Sequence, residues 1–202
     1  MSAPVRQRAR RSDSVRNAEL VTSAAIEMFS RHGLDVTLAQ IAERAGVGKA
    51  TVYRTFESRE QMVAAMLDHR LDWLRQRMER AVAAGDAWNG FASMVYDVFG
   101  RMREDRILQY VLSPAGGVGG RMAAVLGPLF LSLLESIKET GRMRVDVTPW
   151  DTALLMSGLA SALSIRQDFT EQSWRRAATL TLAAVASFPL AADAPERPGH
   201  DA

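Results

Sequence analysis

Residue types that could support catalysis or metal binding are sparse in this chain. Asp68, His69 and Asp72 lie within about one helical turn, a spacing at which a histidine and carboxylates can bind a divalent ion. A lone histidine among charged helical residues is more often a partly exposed side chain, so we predict no metal site. The sequence contains no cysteine, which excludes disulfides and thiolate sites. No serine stands in a recognisable nucleophile motif of a Ser–His–Asp triad. We therefore expect neither a cofactor nor enzyme activity.

Two glycine-containing segments resemble phosphate loops only superficially. In GVGKAT, residues 46–51, a phosphate loop would need glycine five residues before the second glycine and Ser or Thr directly after the lysine. Glu43 and Ala50 occupy those positions, and no strand is predicted before them. The segment SPAGGVGG, residues 113–120, also lacks a preceding strand, so we predict a mobile connection there.

The strongest pattern is TLAQIAERAGVGKATVYRTFESREQM, residues 37–62. It predicts two short helices joined by a glycine-containing turn, which is a helix-turn-helix. Thr37 and Gln40 fit a capping box at the start of the first helix, and Gly46 ends it. An outward-facing second helix of this kind fits the DNA major groove, where base edges are distinguishable. The apolar residues predicted to pack the pair are Leu38, Ile41, Ala42, Ala45, Val47, Val52 and Phe56.

At these residues the sequence resembles the TetR family of regulators. The pattern IAxxAGVxxxTxYxxF is present from Ile41 to Phe56, and the similarity extends over about residues 14–65. The resemblance implies an all-α homodimer with a small-molecule pocket in its C-terminal domain, and usually repression. It does not identify the ligand, because C-terminal domains in this family diverge widely.

The resemblance also assigns roles to individual residues of the motif. Thr37 and Tyr53 are expected to contact phosphates, and Arg59 stands where the family usually has a phosphate-binding lysine. One position departs from the pattern, because Ala39 replaces an arginine often found two residues before the isoleucine. Base reading from that helix is therefore not expected. The recognition surface is expected to comprise Lys49, Ala50, Thr51, Arg54 and Thr55.

Positive charge is concentrated near the N-terminus. Residues 1–60 hold ten Lys or Arg and seven Asp or Glu, whereas the remainder holds fifteen and sixteen. Such an asymmetry favours an anionic partner for the N-terminal end, although a solvated tail would look the same. We predict that residues 1–13 form a disordered basic arm in which Arg8, Arg10 and Arg11 contact DNA, compensating for Ala39 by entering the minor groove.

Helical periodicity dominates the chain and strand signals are absent, which predicts an all-α fold. An N-terminal three-helix DNA-binding domain with the helix-turn-helix is expected at residues 14–57. A helical ligand-binding and dimerisation domain follows at 58–188, with helices near 58–84, 88–103, 105–112, 121–140, 148–167 and 171–188. Residues 189–202 are expected to be a disordered tail. The most apolar late stretch, residues 179–192, is shorter than the roughly 20 residues a membrane span needs, so we predict no membrane partner.

Two sets of apolar residues are assigned within the C-terminal region. Large aromatic and methionine side chains could line a lipophilic pocket, although most must be core; they are Trp73, Met78, Trp88, Phe91, Met94, Phe99, Met102 and Tyr110. Small and aliphatic residues on the last two helices are interpreted as a dimer interface built as a four-helix bundle; they are Leu155, Gly158, Leu159, Ala162, Ala177, Leu180, Thr181 and Ala184.

The sequence therefore predicts a cytoplasmic, homodimeric regulator that binds a palindromic double-stranded DNA operator. A small lipophilic or aromatic effector of unknown identity is expected to release it. Two other classes stay open: a ligand-independent DNA-binding protein, and a helical enzyme or binding module. The long helical C-terminal region argues against the first. The absence of a catalytic constellation and the exposed 49–55 surface argue against the second.

Overall fold

The computed structural model describes residues 4–113 and 119–187. The secondary structure of these residues is helical. It also includes one short 3₁₀ turn at Gly33–Asp35 and one isolated antiparallel bridge between Met143 and Ala186. The predicted all-α fold is confirmed. The helices are α1 Pro4–His32, α2 Leu38–Ala45, α3 Lys49–Thr55, α4 Arg59–Val82, α5 Ala87–Met102, α6 Arg106–Leu112, α7 Gly119–Glu139, α8 Pro149–Ile165 and α9 Glu171–Val185.

The start of α1 differs from the sequence prediction. The helix begins at Pro4 rather than Ser14, so residues 4–13 are helical and not a disordered arm. Proline is favoured in the first turn of a helix, and the arginine, glutamine and alanine residues that follow are good helix formers. The lack of an apolar face there hid this extension. Residues 114–118 of the predicted mobile connection and 188–202 at the C-terminus lie outside the described residues.

Side-chain caps set the starts of most later helices. Asp86 accepts from the backbone N–H of Asn89 at α5, and Asp105 accepts from the first turn of α6. Thr148 and Asp151 form a reciprocal capping box at α8, with Pro149 at the first helical position. These bonds satisfy N–H groups that have no partner within the helix.

Helix α4 is central to the fold and packs against α5, α6 and α7, while α9 packs against α5 and α8. Arg70 of α4 is 2% exposed, and Asp105 is 1% exposed. The Arg70 Nε atom lies 2.9 Å from the Asp105 Oδ2 atom. The Nε–H is not aligned on the carboxylate, so this contact is an ion pair rather than a hydrogen bond. Arg70 also donates from Nη2 to the Ser30 hydroxyl of α1 at 2.7 Å. One buried guanidinium thus connects α1, α4 and the start of α6.

The prediction of no membrane partner considered residues 179–192 and did not consider α7. By length and composition, Gly120–Glu139 could cross a membrane, and 22% of the most apolar window is buried. Leu126, Leu133, Leu134 and Ile137 are nevertheless buried against the rest of the protein, as expected for a core helix.

Candidate nucleic-acid interface and ligand pocket

The helix-turn-helix is built by α2 and α3, which pack against α1. The predicted capping box is present: the Gln40 backbone N–H donates to Thr37 Oγ1 at 3.3 Å, and the Thr37 N–H donates to Gln40 Oε1 at 2.9 Å. Gly46 follows with φ +67°, in the left-handed region that favours glycine, so the chain turns directly into α3. Ile41 and Val52 are fully buried, which fixes the relative position of the two helices.

The outer side of α3 carries polar side chains without covering contacts. Lys49, Ala50, Tyr53 and Arg54 are exposed, with Tyr53 at 53%. Arg54 Nη2 donates to the Thr51 hydroxyl at 2.9 Å, which holds the guanidinium beside the helix. The arrangement leaves donors and a phenol at the tip of a short helix, a chemistry suited to phosphates and base edges.

Thr55, another predicted recognition residue, uses its hydroxyl hydrogen within α3. Its hydroxyl donates to the Thr51 backbone carbonyl at 3.1 Å, and its side chain is only half exposed. Its hydroxyl can therefore still accept a hydrogen bond from a base through its oxygen lone pairs, but its hydrogen is already donated. Thr51 is also half-buried, but its hydroxyl accepts from Arg54 and stays part of the outer surface.

The start of α4 follows the helix-turn-helix directly along the chain. Ser58 accepts from the Gln61 backbone N–H at 3.1 Å, as predicted, but the Gln61 amide accepts from Glu57 rather than from Ser58. Arg59 is exposed and donates through Nη2 to the Leu34 carbonyl, so its guanidinium is held beside the Gly33–Asp35 turn that precedes α2. The Glu60 carboxylate accepts a hydrogen bond from the Glu60 backbone N–H and one from the Ser58 side chain, and both lower the pKa of Glu60.

Net charge separates the motif from the helix that precedes it. Residues 33–60 hold four Lys or Arg and four Asp or Glu, whereas residues 4–16 hold five arginines and a single aspartate. The motif surface is therefore neutral overall, and the positive charge of this domain comes from the first turns of α1. The side chains of Arg8, Arg10 and Arg11 themselves lie outside the described part of the structure.

A cavity of about 390 Å³ lies between α4, α5, α6, α7 and α8. Of the predicted pocket residues, only Met78 and Met94 line it. The other lining residues are Leu74, Val98, Leu112, Ser113, Met122, Ala123, Leu126, Gly127, Phe130, Pro149, Trp150, Thr152, Ala153, Leu154, Met156 and Ser157. Most of the lining comes from α7 and α8, which the sequence prediction did not use.

The six other predicted pocket residues lie elsewhere. Trp73 is half-buried under the guanidinium of Arg77, and Trp88 lies under that of Arg142. The others belong to the core or its edge: Phe91 contacts the Trp88 and Phe130 rings, Phe99 contacts Trp174, Met102 is buried and Tyr110 is half-buried. No local sequence pattern indicates the cavity, because its walls come from five helices that meet only in the tertiary fold.

The predicted interface residues fall into two groups. Gly158, Ala162, Leu180 and Ala184 are exposed, and Leu155 and Leu159 are half-buried. Ala177 and Thr181 are 4% and 0% exposed, so they face the protomer's own core and are not available to a partner. The set predicted on α9 thus combines residues from the exposed face of the helix with residues from its buried face.

The acidic and histidine residues considered for a metal are each engaged by an arginine. Arg121 pairs with Asp68, Arg75 pairs with Asp72, and Arg70 Nη1 lies 3.2 Å from His69 Nδ1. Burial, followed by the charges of Arg70 and Arg101, lowers the pKa of His69. Among the described residues, no group of three potential metal ligands comes together.

Comparison with known proteins agrees with this geometry. Residues 21–66 match the model of the bacterial regulatory proteins of the tetR family. Over 74 residues the chain is 38% identical to the HTH-type transcriptional regulatory protein RaaS of Mycobacterium tuberculosis, covering 37% of this chain and 35% of RaaS. Over 70 residues it is 34% identical to the regulator BetI of Brucella anthropi, covering 35% and 36%. The matched region spans less than half of these relatives, which are regulators and not enzymes.

Solved structures extend the similarity of fold to most of the chain. SmeT, the repressor of a Stenotrophomonas maltophilia multidrug efflux pump, superposes with a TM-score of 0.62 at 21% identity, over 90% of this chain and 97% of SmeT. RolR in complex with resorcinol superposes with a TM-score of 0.56 at 21% identity, over 86% and 89%. The N-terminal region, residues 21–66, thus matches the tetR family model, and the rest of the chain shares its architecture with solved structures such as SmeT.

Proposed function

We propose that this protein is a cytoplasmic, homodimeric repressor that binds a palindromic DNA operator through α3 and leaves it when a small apolar molecule enters the cavity. The observation that carries the proposal is the exposed polar face of α3, where Lys49, Tyr53 and Arg54 project from a helix fixed by a buried apolar face. Nothing within the described protomer covers this face, and its geometry suits a major groove.

Dimerisation through α8 and α9 is supported by the apolar stripe that the protomer leaves uncovered. On α8, Leu154 is 51% exposed and Ile165 is 82% exposed, with Gly158 between them at helical spacing; on α9, Leu180 is 43% exposed. Two such helices from each subunit would form a four-helix interface. A twofold dimer would set two α3 helices about 34–36 Å apart, one turn of DNA, or somewhat more.

Gly158 offers a clean test of this interface. A Cβ at Gly158 meets no atom within 4 Å, so Gly158→Leu should leave the packing of the protomer intact. The new leucine side chain would project into the proposed interface. We expect monomer in sedimentation with the helical content preserved. Gly100→Leu on α5 is the matched control, because a Cβ there is equally unobstructed. A dimer that is unchanged by Gly158→Leu would place the interface elsewhere.

Two helices connect the cavity to the DNA-binding domain. Helix α4 begins at Arg59 beside the motif and reaches the cavity at Leu74, about 22 Å further along its axis. Helix α6 begins at Arg106, which Asp105 precedes as the cap, and ends at Leu112, which lines the cavity together with the following Ser113. A ligand that displaces either helix would move α1 through the Arg70 contacts, and by linkage DNA would weaken ligand binding by the same factor.

The decisive experiment is selection of bound sequences from random duplex DNA at physiological salt, followed by anisotropy titrations. Lys49→Ala should alter sequence preference, whereas Tyr53→Phe should weaken binding to all duplexes alike, since phosphate contacts carry no sequence information. Arg80→Ala on α4 removes an exposed charge far from the motif and serves as the control. Failure to prefer any duplex over random DNA would refute the proposal. Selective binding that no effector alters would favour the ligand-independent alternative.

A further inference from the structure

Among the described residues, the wall of the cavity carries no ionisable side chain. Its lining contains no aspartate, glutamate, histidine, lysine or arginine. Residues 114–118, which follow the lining residue Ser113 along the chain, contain no ionisable residue either. An ion transferred from water into such an environment loses its hydration without gaining a counter-charge, which costs several kcal/mol even after relaxation.

The N-terminus of α8 borders the cavity, but its positive end already faces a carboxylate of the protein. Pro149 has no backbone N–H to donate, and the Asp151 N–H is already donated to Thr148 Oγ1 at 3.2 Å. Hydrogen bonds from the Thr148 hydroxyl and backbone N–H lower the pKa of Asp151, so its carboxylate is charged at neutral pH. The positive end of this helix dipole is thus already neutralised by the protein's own carboxylate.

The polar side chains that line the cavity are few and uncharged. Apart from the exposed indole of Trp150, they are the hydroxyls of Ser113, Thr152 and Ser157. Thr152 donates to the Thr148 carbonyl and Ser157 donates to the Leu154 carbonyl, each at 3.4 Å. The oxygen lone pairs of Thr152 and Ser157 can still accept a hydrogen bond, which suits a hydroxyl or amide N–H on the bound molecule.

Methionine gives the rest of the wall its adaptability. Met78, Met94, Met122 and Met156 line the cavity beside Phe130. Unbranched thioether side chains change shape at low cost, so such a wall accepts aliphatic as well as aromatic groups. A volume of about 390 Å³ is at the smaller end of the roughly 300–1,000 Å³ seen for small-molecule sites.

We infer that the cavity selects for an uncharged, mainly apolar molecule with one hydrogen-bonding group, such as an alcohol or a phenol, and rejects the ammonium or carboxylate counterpart of the same size. The inference rests on the proposed ligand-responsive function and specifies the effector's charge. Selectivity follows from the cost of desolvating an ion in a cavity that supplies no partner for it.

The test compares three eight-carbon probes, 1-octanol, octanoate and octylammonium, against the full chain without DNA, by calorimetry and thermal shift. We expect 1-octanol to bind at least about tenfold more tightly than either ion, equivalent to about 1.4 kcal/mol. Equal or tighter binding of an ion would overturn the inference, and so would failure of all three probes to bind. Because no DNA is present, these outcomes are independent of whether the protein proves to be a DNA-binding regulator.

Two neighbouring alanines provide matched variants that locate the effect. Ala123 lines the cavity and Ala124 does not, and both are exposed on α7, so an aspartate at either position can be accommodated. Ala123→Asp should weaken 1-octanol and improve octylammonium binding relative to the unmodified chain, whereas Ala124→Asp should leave both unchanged. Identical behaviour of the two variants would show that the probes bind outside the cavity.

Discussion

The outer face of α3 and the cavity between α4 and α8 differ in what they offer a partner. The first presents charged and polar groups to solvent from a short helix, and the second encloses apolar side chains with no charge among them. A surface of the first kind binds through contacts that salt screens, whereas a cavity of the second kind binds by removing apolar area from water. The same chain thus separates two kinds of recognition, and the link between them can be tested.

The largest effect is expected at the ion pair that joins the two regions. Asp105→Ala leaves the Arg70 guanidinium buried without its carboxylate, which typically costs about 3–5 kcal/mol of unfolding free energy. Urea denaturation followed by circular dichroism measures the loss. The double variant Arg70→Met, Asp105→Ala should recover part of it.

A surface pair provides the control for this comparison. Asp146 pairs with Arg144 where both side chains are exposed, so Asp146→Ala should cost less than about 1 kcal/mol. Equal losses for Asp105→Ala and Asp146→Ala would contradict the structural importance of the buried pair.

The second prediction concerns the arginines at the start of α1. Replacing Arg8, Arg10 and Arg11 together by glutamine keeps good helix formers in place but removes charge from an otherwise neutral motif surface. If each contacts a phosphate, the slope of log affinity against log salt should fall by about 2.7. Octanol binding and the thermal melt should not change. An unaltered salt slope would show that these arginines do not contact DNA.

The third prediction tests how closely α4 and α5 must pack. A Cβ at Gly90 of α5 would lie 2.5 Å from the Ala81 carbonyl oxygen at the end of α4. Gly90→Ala should therefore destabilise the protein by about 1–3 kcal/mol, the range found for overpacking. Gly100→Ala, where nothing lies within 4 Å of the new Cβ, should be neutral or stabilising, because alanine favours a helix over glycine. Equal thermal melts of the two variants would argue against this close approach.

The smallest effect uses two capping boxes, one in each region. Thr37→Ala and Thr148→Ala remove equivalent caps, and each should lower stability by about 1 kcal/mol. Only Thr37→Ala should also weaken DNA binding, and Thr37→Ser should restore both properties. A matching loss of DNA affinity in Thr148→Ala would mean that stability alone explains the effect.

Local features of the fold could be predicted from the sequence with few errors. The capping box at Thr37, the left-handed Gly46 and the Thr148–Pro149 start of α8 are properties of residues that are adjacent in the chain, so their side-chain chemistry alone specifies them. The helical extension before Ser14 was missed because it has no apolar face, and helical periodicity is detected through that face.

Features that depend on tertiary packing were predicted poorly. Met78 and Met94 line the cavity while Phe99 and Met102 do not, although all four are large apolar residues on neighbouring helices. Which of them faces a cavity depends on how α7 and α8 approach, and no local pattern encodes that. The burial of Thr181 likewise depends on how α9 packs against the other helices, and its hydroxyl is satisfied there by donating to the Ala177 carbonyl within α9.

The methionine-rich wall makes the cavity sensitive to oxidants. The chain has no cysteine, so its ten methionines are its only sulfur atoms, and four of them line this cavity. Met122 is the most accessible of the four, and oxidation would convert its thioether into a polar sulfoxide. An apolar wall would then hold a strong dipole that an apolar guest cannot satisfy. Oxidative damage would thus reduce the response to an effector while the face of α3, which has no sulfur, keeps its chemistry.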